Sequence, residues 1–168
     1  DEEAVWAAGR TVADVALNRF LQMREKEGEK LQEDILSRAA AILEAVGQVE
    51  ERSPQTVREH MDKVQARMRE LLGTATVDEQ RLLTEAALFA DKIAVAEETV
   101  RLRSHISQLE HMLAGNEAVG RKLDFLVQEI NREANTIGSK AQDVQLARVV
   151  VDIKAEIEKI REQIQNIE

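Results

Sequence analysis

Residues 120–140, GRKLDFLVQEINREANTIGSK, decide the fold. Leu123, Leu126, Val127, Ile130, Ala134 and Ile137 recur at steps of three and four, the spacing that lines one side of an α-helix. The other side carries Arg121, Asp124, Gln128, Asn131, Arg132 and Asn135, with Glu129 and Glu133 beside them and Phe125 alone among polar groups. A merely solvated face would be Lys and Glu with fewer amides. The rest of the chain shares the helical character. Ala, Glu, Lys, Leu and Arg make up half of the 168 residues and aromatics only 2%, the composition of long helices rather than sheets. An all-α, elongated helical bundle is expected.

Upstream, Phe20, Met23, Leu31, Ile35, Ala39, Ile42, Val46 and Val49 form the expected buried stripe of a helix running from Glu2 to about Val49. Trp6 either caps that core or meets a further domain. Ser53 and Pro54 then restart the chain, a hydroxyl N-cap followed by Pro at the first helical position. Val57, Met61, Val64, Met68 and Leu71 step by four and three like a coiled-coil seam, and Gly73 ends the helix. Residues 1–73 are thus expected to fold as a long antiparallel coiled-coil-like hairpin. Residues 74–168 should hold three helices. Thr76 and Glu79 spell a capping box for the first, which can run to about Leu113. Asn116 caps the helix of 120–140, with Gly138 closing it. The last begins near Ser139 or Asp143, and its seam of Leu146, Val150, Ile153, Ile157, Ile160, Ile164 and Ile167 admits two readings. Ile at both seam positions favours three- or four-stranded association, or else the seam packs inside its own chain.

Several function classes fall away on composition. With no Cys there is neither disulfide framework nor thiolate metal site, which fits a reducing compartment. No apolar run nears the roughly 20 residues of a membrane helix, so a cytoplasmic location without membrane contact is expected. A net charge of −9 argues against nucleic-acid binding over the whole surface; an RNA site must be a local patch of Lys and Arg.

Glu97, Glu98, Arg101, His105 and Gln108 share one side of a helix. Taken alone, this is a surface network of Glu and Arg pairs with a partly exposed His. Three segments change that reading: EETVRLRSHI (97–106), GRKLDFLVQEINREANTIGSK (120–140) and KAEIEKIREQIQNIE (154–168). Together they resemble the C-terminal part of the bacterial YicC-like (YloC-like) family, described as stress-induced proteins and endoribonucleases. Glu97, Glu98, Arg101 and His105 match that family's EE…R…H positions, and Arg81 and Glu85 match earlier ones. The family often carries Asp where this chain has Ala94. The resemblance implies an N-terminal domain that precedes the part seen here, and ring-like hexamers.

The chemistry so implied is divalent-metal-dependent RNA cleavage. A hard cation such as Mg²⁺ or Mn²⁺ takes oxygen ligands, for which Glu85, Glu97, Glu98, Asp124, Glu129 and Glu133 are the candidates. His105, with Glu97 and Glu98, forms the catalytic set, since only His titrates near neutrality unperturbed. Arg101, Arg121, Lys122, Arg132 and Lys140 can meet phosphates. Phe125 either stacks on an unpaired base or fills an interface. His60 and His111 are read as incidental. The alternative function is a non-catalytic helical interaction or oligomerisation module.

Overall fold

The computed structural model describes residues 2–73, 76, 78–115 and 120–166, and every regular element in it is helical. In chain order these are α1 (Glu2–Leu72), α2 (Glu79–Ile93), α3 (Ala96–Ala114), α4 (Gly120–Lys140) and α5 (Val144–Gln165). Four of them close a ring, α1 against α3, α3 against α4, α4 against α5, and α5 back on α1. Cross-links show two of these pairs to be antiparallel. Arg38 reaches Glu156 and Arg52 reaches Asp143 between α1 and α5, while Arg101 reaches Glu133 and Lys140 reaches Glu98 between α3 and α4. The core inside the ring joins the expected apolar stripes, Ile35 to Val49 of α1, Leu123 to Ile137 of α4 and Leu146 to Ile164 of α5, to Leu102, Ile106 and Leu109 of α3, which were not among the stripes expected from sequence.

The all-α class holds, but the hairpin expected within residues 1–73 does not. α1 continues unbroken through Ser53 and Pro54. Pro removes one backbone donor and crowds the carbonyl four residues earlier, yet side-chain ties, two within α1 and one to Asp143 at the start of α5, brace this turn as helix. Arg52 is tied to Glu59 at 2.7 Å and to Asp143 at 2.7 Å, and Thr56, buried, donates to the Arg52 carbonyl. The turn comes instead after Leu72, where Gly73 takes φ 57°, a left-handed conformation that Gly adopts without a Cβ clash. The hairpin partner of α1 is therefore α2, joined to it by a stacked pair, His60 on Phe89, with ring centroids 3.7 Å apart.

Other boundaries also move. Asp78 caps α2, accepting from the amides of Gln80 and Arg81, in place of a Thr76 box. The expected long helix to Leu113 breaks at Ala94, whose backbone is extended, and Val95. The break lets Ile93 and Val95 both be buried, and the Ala94 carbonyl, released from helical pairing, accepts from Lys140 Nζ at 2.9 Å. Gly138 lies within α4 rather than ending it; a Cβ there would stand 3.0 Å from Val150 Cγ1, so its role is close approach of α4 and α5. Asp143 caps α5 by accepting from the Leu146 amide. The α5 Ile seam is core of its own chain, with Ile153, Ile157, Ile160 and Ile164 buried. Asn116 and Ile167 lie outside the described residues.

The largest departure is at the start of α1. Every residue from 2 to 30 is exposed, including Phe20 and Met23, which the apolar stripe had placed in the core. At 1.5 Å per residue this arm projects about 43 Å beyond the ring.

Candidate functional site

Five of the polar residues singled out in sequence, Glu97, Glu98, Arg101, Glu133 and Lys140, meet along the α3–α4 seam, because antiparallel pairing of the two helices sets Glu98 opposite Lys140 and Arg101 opposite Glu133. The Glu98 side chain is only 6% exposed and meets Lys140 Nζ at 2.7 Å, with Arg101 Nη2 at 3.6 Å. Burial pushes its carboxyl up, but the Lys140 hydrogen bond, its own backbone amide and the Lys140 and Arg101 charges together hold it below the usual carboxylate range. Its Oε2 is buried without a hydrogen-bond partner. Arg101 donates through Nε to buried Glu133 at 2.9 Å and through Nη1 to Glu97 at 3.3 Å, and its guanidinium is correspondingly held charged. Two buried carboxylates thus face two cations across one seam, which is how buried charge is tolerated.

One turn beyond Arg101 on α3 stands His105, half-buried, its Nδ1 enclosed and without a partner. By register, Glu129 of α4 occupies the matching level; Arg132 lies 3.7 Å from it, loosely and well exposed. Asp124 accepts from Gln128 one turn along. Arg121 and Lys122, at the start of α4, are exposed and make no ion pair among the described residues. Phe125 projects from the same helix, 60% exposed. Glu85 is set apart: it lines a shallow groove with His60 and Phe89 on α1 and α2. His60 serves as the α1–α2 contact and His111 is exposed.

As placed, the six acidic candidates do not fit a divalent cation. Among the described residues no three His, Asp or Glu side chains converge as ligands, and Glu98 and Glu133, the two best buried, are already matched by Lys140 and Arg101. Lys140, expected as a phosphate contact, is also the counter-ion of Glu98. Its reach across 42 positions, like that of Arg103 to Glu50 on α1 at 2.7 Å and Arg52 to Asp143, leaves no periodic signal in sequence.

A family model described as "Endoribonuclease YicC-like, C-terminal" matches residues 49–168, from the middle of α1 to the end of the chain. The chain belongs to the YicC-like family. It is 44% identical, over its whole length and 58% of the relative's, to a YicC-like protein named "Probable endoribonuclease YicC" from Clostridioides difficile (strain 630). It is 38% identical, over 94% of this chain and 54% of the relative's, to a protein of the same name from Haemophilus influenzae (strain ATCC 51907 / DSM 11121 / KW20 / Rd). The chain spans a little over half the length of these YicC-like relatives. No helix among the described residues is long and apolar enough to cross a membrane.

Proposed function

We propose that this chain is the part of an endoribonuclease that contacts and cleaves RNA, and that the α3–α4 seam is its working surface. The observation that carries the reading is the enclosed, unpartnered Nδ1 of His105 on the same seam as the Glu98–Lys140 and Arg101–Glu133 pairs. Here His105, through the ring nitrogen other than the enclosed Nδ1, takes or gives the proton at an oxygen of the scissile phosphodiester. Arg101 and Lys140 stabilise the charge that builds on the phosphate. The exposed Arg121, Lys122 and Arg132 hold the flanking backbone, and Phe125 stacks on an unpaired base. Glu97 and Glu98 set the positions of Arg101 and Lys140 until phosphate oxygens compete for the same cations.

Dependence on Mg²⁺ or Mn²⁺ is what the family resemblance implies, while the carboxylates as placed do not form its ligand set. A cytoplasmic location, an N-terminal domain as partner and homo-oligomers, hexameric in the longer protein, belong to the same proposal. The second reading, a non-catalytic interaction module, is favoured by one observation: both buried carboxylates are already paired. Cleavage of a labelled RNA by the 168-residue chain, with Mg²⁺, Mn²⁺ or chelator, separates the two. Loss of cleavage in His105→Ala with unchanged RNA binding supports catalysis at this seam. Wild-type turnover in that variant overturns it, and binding without cleavage in any ion favours the module.

A further inference from the structure

The groove between α1 and α2 also touches the α4–α5 connection. It has a volume of about 370 Å³ and is lined by His60, Glu85, Leu88, Phe89, Lys92 and Gln142. Four of these lie on α2 at the i, i+3, i+4 and i+7 spacing that shares one helix face. Glu85 and Lys92 therefore mark its two ends, about 10 Å apart along the helix, and Leu88 and Phe89 between them make an apolar floor. Leu88 is 61% exposed. Phe89 is half-buried, with one ring face covered by His60, whose Nε2 is enclosed and takes no ligand.

The polar groups at both ends are unspent. Among the described residues Glu85 and Lys92 make no ion pair, and both, like Gln142, are exposed. In the groove between α1 and α5, by contrast, Glu156 is already held by Arg38 and Lys159. An anionic end, a flat apolar middle and a cationic end with an amide beside it complement one nucleotide. The amino group of a base donates to the Glu85 carboxylate, the base lies on Leu88 and Phe89, and the phosphate meets Lys92 Nζ and the Gln142 amide. Uracil has no amino group to donate. The place of the groove favours a nucleotide within a strand. Lys140 Nζ bonds the Ala94 carbonyl at 2.9 Å, and Ala94 follows closely on Lys92 as Gln142 does on Lys140. The Lys92 end thus opens beside the Lys140 end of the α3–α4 seam. From the level of His105 to Lys140 is about 16 Å along α4, a few nucleotides of extended strand.

We propose that this groove holds one unpaired nucleotide of the RNA, with an amino-bearing base, a few positions from the scissile phosphate, an inference that rests on the α3–α4 seam being the RNA surface. The strand passes from His105 over Arg101 and Lys140 and lodges that base between Lys92 and Glu85. Binding is read by fluorescence anisotropy of labelled, unstructured A, C and U oligonucleotides of equal length. The protein is the 168-residue chain carrying His105→Ala, with chelator present. The A and C strands should bind more tightly than U, and Glu85→Gln should remove the difference. Lys92→Glu should weaken all three about tenfold with a shallower salt dependence, and Leu88→Asp should weaken them comparably. All three substitutions are at exposed positions, and unchanged helical circular dichroism checks the fold. Parent affinity in Lys92→Glu and Leu88→Asp overturns the groove, while loss of cleavage in His105→Ala would still uphold the seam. Affinity that depends on the groove, beside wild-type cleavage in His105→Ala, keeps the nucleotide subsite and overturns catalysis at the seam instead. A preference over U that survives Glu85→Gln overturns the base contact. AMP that binds through Lys92 without displacing the oligonucleotides assigns the groove to a free nucleotide and overturns the strand path, and a chain that binds no RNA overturns both readings.

Discussion

Replacing Lys140 by Met keeps the length of the side chain along the α4 surface but withdraws the ammonium from Glu98. In the folded protein Glu98 then stays enclosed with only Arg101, at 3.6 Å, as cation. Removing one partner of a well-buried pair costs about 3–5 kcal/mol; with Arg101 remaining and Lys140 about a third exposed, about 2 kcal/mol is expected at pH 7. For a domain of this size that lowers the melting temperature by about 4–8 °C. The effect carries a pH signature. Glu98's folded carboxyl lies below its ordinary 4.5, so its stabilisation is complete above that value and is lost as pH falls through the folded one. In Lys140→Met, burial without the ammonium raises the carboxyl, so wild type and variant converge as pH drops through the carboxylate range. Adding Glu98→Gln removes the stranded charge, and the double variant should be more stable than Lys140→Met alone. Thermal melts by circular dichroism from pH 7.5 to 4 measure all three. A difference under about 1 °C at pH 7, or one that stays constant to pH 4, would refute a buried, charge-dependent clasp.

Gly138→Ala gains helix propensity but presses a methyl onto Val150, whose β-branched side chain has little rotamer freedom in a helix; a net loss of about 1 kcal/mol is expected in urea titration, reversed by Val150→Ala. Pro54→Ala restores the amide missing from the middle of α1 and should stabilise by about 1–3 kcal/mol, whereas a true helix start there would lose stability on the change. Ile160→Asp with Ile164→Asp places two carboxylates in the core and should abolish the cooperative melt; a folded variant of reduced mass would return α5 to the role of an intermolecular seam.

How far sequence carried the fold depended on whether the deciding contact was local. The α4 stripe and the α5 Ile ladder were legible because helical period alone assigns those faces, and each is buried as read. Phe20 and Met23 were misplaced for the same reason: period says which face is apolar, but only tertiary structure says whether anything covers it. Ser53–Pro54 is a sound local start signal, overridden by Arg52's ties to Glu59 and Asp143 from the next turns and from α5. At the site, the polar faces of α3 and α4 were readable, and the structure joins them at two points, Glu98 to Lys140 and Arg101 to Glu133. Spacing could not tell that Lys140 and Arg101 would fill the seam between Glu98 and Glu133, because antiparallel register sets those distances.

The unbroken α1 has a kinetic consequence. A helix in water is limited by forming its first turn, after which each residue adds with little further cost. Here the ring of four helices supplies that nucleus, so the arm grows outward from about residue 31 and melts inward from residue 2. Amide exchange along it should rise steadily toward the N-terminus while the ring opens as one unit. Helical signal at 222 nm and the single indole of Trp6 therefore follow different processes in the isolated chain, and one midpoint describes only the first.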